Sequence, residues 1–172
     1  MASSSLSPAA LSPSVFSIVL GTGGVSLCAN LLGLRKVALA LLALNALLLA
    51  IAWIATVLRV ARTARALLAD LTDLTRGPSF FFAPLATSIF GIQIAVLTDA
   101  QNLVQPCWIF SLVLWLLLSC LFMVGASVRE GQAGFAEAIS PTWLLPGAAL
   151  IVTVGLGTHV MREAGESLLF GL

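Results

Sequence analysis

The chain has 172 residues, 60% of them hydrophobic and 9% charged, with a net charge of +1 and a mean hydropathy of +1.11. An ordinary soluble domain carries roughly 25% charged residues, and 8 basic plus 7 acidic side chains cannot cover a globule of this length. Disorder, collagen, a disulfide framework, a nucleic-acid-binding surface and a soluble domain are excluded, which leaves an integral membrane protein.

Residues 1–14 are rich in Ser, Pro and Ala and hold no Lys or Arg. They lack the charged start of a secretory signal, and residues 1–12 read as a flexible lead-in. Five continuous apolar runs follow, at 13–34, 37–61, 80–97, 107–128 and 142–160. Each approaches the about 20 residues that cross a hydrocarbon core of roughly 30 Å. They are continuous rather than alternating, so they predict helices, because lipid demands internal backbone hydrogen bonding. The expected fold is an all-α membrane protein of five transmembrane helices built as hairpins, in one domain over 13–160. Arg35-Lys36 predicts a two-residue turn. Leucines at 67, 68, 71 and 74, set among Arg65, Asp70, Asp73 and Arg76, predict a short interfacial helix near 64–76. Residues 98–105 read as a polar turn and 129–141 as a glycine-containing loop. Residues 161–172 read as a C-terminal tail or the start of a truncated sixth helix. Arg59, Arg62, Arg65, Arg76 and Arg129 outnumber Arg35, Lys36 and Arg162, five to three, which favours a cytoplasmic N-terminus.

Helix breakers are unevenly spread. The first run holds Gly21, Gly23 and Gly24; the third holds Pro84 and Gly91; the fifth holds Pro146, Gly147, Gly155 and Gly157. The second run holds none, and the fourth only Gly125 near its end. A proline inside a helix frees the carbonyl four residues earlier, here that of Phe80 or Thr142, at a cost of about 3 kcal/mol in an unsupported helix. Membranes tolerate this where neighbours or a water-lined cavity satisfy the carbonyl. Odd helices are therefore expected inside, around a path, and even helices outside, against lipid. Close packing alone also explains the first run, where Ser17, Gly21, Gly24 and Cys28 make a small-residue face.

No Asp, Glu, Lys or Arg sits in the central part of a run, which argues against proton coupling. Hydroxyls and helix dipoles still supply weak positive potential to a passing anion. Thr22, Ser26, Thr87, Ser88 and Thr153 are candidate lining groups, although each hydroxyl can instead bond back to its own helix. Cys28, Cys107 and Cys120 read as small buried hydrophobes. His159 reads as an interfacial side chain, Asp70 and Asp73 as solvated charges, and the Phe80–Phe82 triplet and Trp143 as interface anchors. No enzymatic constellation, metal site or cofactor is expected.

Residues 14–27 (SVFSIVLGTGGVSL) resemble the first helix of the tellurite-resistance/dicarboxylate transporter family, which includes fungal malate and sulfite transporters and plant slow anion channels. Residues 78–86 (PSFFFAPLA) resemble its third helix, and residues 140–147 (SPTWLLPG) its fifth. The resemblance implies passage of small anions, such as C4-dicarboxylates, sulfite, tellurite or chloride-like ions, across the inner or plasma membrane. It implies an inner ring of odd helices, trimers and a cytoplasmic N-terminus. It also implies that this chain corresponds to the N-terminal half of a ten-helix protein. Gly21, Thr22, Gly24, Pro84, Thr87, Pro146 and Gly147 are the expected pore-lining residues. The alternative is a non-conducting accessory subunit or a truncated, degenerate family member.

Overall fold

The computed structural model describes residues 15–71, 73, 76–129 and 141–170. The lead-in expected over 1–12 and the loop residues 130–140 lie outside the described residues. Helix α1 spans Val15–Leu31, α2 Arg35–Leu71, α3 Phe82–Leu97, α4 Val104–Arg129 and α5 Leu145–Phe170. Single 3-10 turns at Gly77–Phe81, Gln101–Leu103 and Pro141–Leu144 lead into α3, α4 and α5. The described residues contain no strand.

Four helical stretches are long and apolar enough to span a membrane, namely Arg35–Ala64, Gly77–Leu97, Gln101–Gly125 and Pro141–Arg162. Helix α1 is apolar but has 17 described residues, about 26 Å at 1.5 Å per residue. The third and fifth runs, short in the sequence, reach span length by recruiting the 3-10 turns before them and, for the fifth, Met161 and Arg162 after it.

The first connection differs from expectation. The turn is Leu32–Leu34, and Arg35 already begins α2. Gly33, at φ 78°, lets its N–H reach the Asn30 carbonyl at 3.0 Å, while the Leu34 N–H reaches that of Ala29 at 2.9 Å. This pair of bonds is a Schellman cap, which needs a left-handed residue that glycine adopts freely. Arg35 instead donates from Nη2 to the Leu97 carbonyl at 3.4 Å, placing a cation at the C-terminal end of α3.

Helix α2 kinks at Thr63, whose φ/ψ of −141°/43° is not helical. The helix then continues to Leu71, so the break falls beside the expected start of the short helix at 64. Leu71 packs with Phe81, Leu118, Phe122 and Ala149, which folds this segment back onto the bundle.

Helix α3 is the hub. Over half of its span is buried, against about a fifth for the spans of α2, α4 and α5. It touches all four other helices, whereas among the described residues α1 and α5 are not neighbours. Each even helix also packs on odd neighbours, α2 on α1 and α4 on α5. Phe16, Val19, Gly23 and Ser26 form the buried stripe of α1, and Ala38, Asn45, Leu49 and Ala52 that of α2. Lipid offers no hydrophobic drive for helices to associate, so close van der Waals approach and interhelical hydrogen bonds hold such a bundle. Glycine notches supply the approach. A Cβ on Gly91 would lie 2.6 Å from Leu156 Cδ2 of α5 and 3.2 Å from Cys107 Cβ of α4.

Pro84 and Pro146 both lie just after the switch from a 3-10 turn to an α-helix. Pro84 is the third residue of α3 and Pro146 the second of α5. Each α-helix is entered directly from a 3-10 turn, and the Phe82 N–H bonds back to the Ser79 carbonyl. The expected interior breaks are therefore helix starts, at the switch from a 3-10 turn to an α-helix.

Candidate functional site

The expected pore-lining residues divide into two groups. Gly21 and Gly147 are exposed and Gly24 is half-buried. A Cβ built on any of the three would meet nothing within 4 Å, and the same holds for Gly155. Along α1 the open face runs through Ile18, Gly21, Val25 and Cys28; along α5 it runs through Gly147, Ile151, Val154, Gly155 and Thr158. Pro84 and Thr87 instead lie in the packed interior, so these two face neighbouring helices rather than an open surface. Pro146 is half-buried, and its carbonyl accepts a 2.8 Å hydrogen bond from Trp115 Nε1 of α4.

The hydroxyls are engaged within the bundle. Thr22 and Thr87 donate to the carbonyls of Ile18 at 2.8 Å and Ala83 at 2.9 Å, each on its own helix. Ser26 crosses from α1 to the Ala38 carbonyl at 2.8 Å. Thr153 donates to the Ala149 carbonyl at 2.7 Å, so Ser88, 2.9 Å away, is the donor in the Ser88–Thr153 bond that ties α3 to α5. None of Ser26, Thr87, Ser88 and Thr153 is exposed.

Other expectations are corrected by the packing. Asp70 is a partly exposed charge held in two ion pairs, with Arg59 Nη2 2.6 Å from its Oδ2 and Arg76 Nη1 3.1 Å from its Oδ1. That bridge joins α2 before and after its kink to the approach to α3. Phe81 is 1% exposed and belongs to the core rather than to an anchoring belt. Trp143 packs edge-on against Phe122 with ring centroids 5.3 Å apart. Cys28 and Cys120 lie on exposed helix faces, not in the interior, and Cys107 is half-buried. His159 is half-buried, with Nδ1 shielded from solvent.

Two buried side chains, Asn45 and Gln93, went unmarked among the sequence expectations. Asn45 Nδ2 donates to Gln93 Oε1 at 2.5 Å, joining α2 to α3 beside Gly23 of α1. The available signal was a carboxamide standing alone inside each of two apolar runs.

These features define a multi-pass helical membrane protein whose helix seams are tied by buried polar contacts such as Ser26–Ala38, Asn45–Gln93 and Ser88–Thr153. Within that class, the profile of the voltage-dependent anion channel family matches residues 10–171. The chain belongs to this family, whose members are channels or transporters rather than enzymes, and membership implies anion transport through a channel. No curated protein and no solved structure matches the chain.

Proposed function

We propose that this chain spans a cell membrane five times, N-terminus inside, and contributes the odd-helix wall of a path for small anions. The observation that carries the reading is the open faces at Gly21 and Gly24 of α1 and Gly147 and Gly155 of α5, where a built Cβ would meet no other described part of the chain within 4 Å. The even helices expose large apolar side chains such as Leu47, Ile54, Leu116 and Leu117, which suit acyl chains, whereas the open faces of α1 and α5 alternate Ile18, Val25, Ile151 and Val154 with glycines. A wall without fixed charge passes an anion by weak dipolar stabilisation, so the ion can leave as readily as it enters. The candidate anions are C4-dicarboxylates, sulfite, tellurite and chloride-like ions.

Among the described residues α1 and α5 are not neighbours, so the odd helices of one chain form an open row. A closed path then needs further helices, from other copies in a trimer or from a complementary C-terminal half. The same open row favours a second reading, a non-conducting accessory subunit. Anion flux into liposomes separates the two. On the first reading, flux exceeds that of empty liposomes and falls on Gly21→Trp or Gly147→Trp, while Ile54→Trp leaves it unchanged. Equal effects of all three substitutions would contradict the path.

A further inference from the structure

The Asn45–Gln93 pair carries an inference independent of the transport reading. Both side chains have no solvent exposure. Asn45 lies 10 residues into α2 and Gln93 lies 4 residues from the end of α3. One N–H of Asn45 satisfies Gln93 Oε1, yet Asn45 Oδ1 and Gln93 Nε2 are both buried without a partner among the described residues. Hydrocarbon supplies no hydrogen bonds to such groups, and buried polar atoms find partners in protein or in ordered water.

The two orphaned atoms are complementary, one acceptor and one donor. An anion would satisfy Gln93 Nε2 but meet the lone pairs of Asn45 Oδ1; a cation would do the reverse. A single small molecule that both donates and accepts suits the pair, and the closely packed surroundings limit its size. A Cβ on Gly23 would already lie 2.5 Å from Ile89 Cγ2, 3.1 Å from Asn45 Nδ2 and 3.3 Å from Gln93 Oε1. We infer that Asn45 and Gln93 hold one internal water, which accepts from Gln93 Nε2 and donates to Asn45 Oδ1. With the direct amide bond, beside which Gly23 of α1 stands, it closes a hydrogen-bonded ring across the α2–α3 seam.

Solid-state NMR of the full chain in lipid vesicles tests this by transfer of water proton magnetisation to assigned side chains. The Gln93 and Asn45 carboxamide protons are expected to receive water magnetisation, while the buried methyls of Leu49 and Leu85 do not. Gln93→Met is expected to abolish the transfer at Asn45. Should that variant not fold, the unmodified chain still decides the matter. Absence of transfer at both carboxamides would overturn the inference, and so would a closed amide pair in which Gln93 Nε2 bonds directly to Asn45 Oδ1. Transfer that persists at Asn45 in folded Gln93→Met would overturn it too.

Discussion

Replacing Gly91 by alanine tests whether α3 is the hub on which α4 and α5 converge. The new Cβ would stand 2.6 Å from Leu156 Cδ2 and 3.2 Å from Cys107 Cβ. Ordinary contact begins near 3.4 Å, so the leucine methyl has to retreat by about 0.8 Å. Leu156 is fully buried and has little free space to enter. Overpacking of this kind costs about 1–3 kcal/mol, set against about 1 kcal/mol gained from the better helix propensity of alanine. Gly21→Ala isolates the propensity gain, because its Cβ meets nothing within 4 Å. Unfolding in detergent micelles, followed by far-ultraviolet circular dichroism, should place Gly91→Ala about 1–3 kcal/mol below Gly21→Ala. Leu156→Ala alone should cost about 2–5 kcal/mol through its cavity. Combined with Gly91→Ala it should cost less than the sum, since the new methyl partly fills that cavity. Equal shifts for the two alanine variants, together with additivity at Gly91 and Leu156, would refute the convergence.

Two further substitutions probe the connections. Gly33→Ala should destabilise by about 1–2 kcal/mol, because a Cβ is penalised in the left-handed region that the Schellman cap requires; an unchanged unfolding midpoint would contradict that geometry. Asp70→Asn should cost about 1 kcal/mol or less, given the partial exposure of its ion pairs. The difference from the unmodified chain should shrink as salt is raised, and a gap insensitive to salt would argue against an ionic role.

Apolar run length marked the four helices that reach span length and the shorter apolar α1, because continuous hydropathy over about 20 residues has few other uses. It did not mark their ends. The turn after α1 was placed at Arg35-Lys36 by charge, whereas Gly33 sets it through backbone conformation. Prolines 84 and 146 were legible as punctuation, but sequence alone does not separate a kink from a first turn. The 3-10 segments before them decide the matter. The glycines hid a similar ambiguity. Gly91 is a packing notch and Gly21 stands open, and only the neighbouring helix tells them apart. Asp70 was read as solvated because its partner Arg59 lies 11 residues away, across a kink with no sequence signature. Asn45 and Gln93 lie 48 residues apart, so their pairing depends on the fold itself.

The native cysteines offer the most direct test of the proposed path. Cys28 lies on the exposed face of α1, and Cys120 on an exposed face of α4. In vesicles, a charged, membrane-impermeant thiol reagent should modify Cys28 and a cysteine placed at Gly21, while Cys120 reacts only with a lipid-soluble maleimide. If the charged reagent labels Cys120 as fast as those two positions, or labels none of the three, the open face of α1 does not border water.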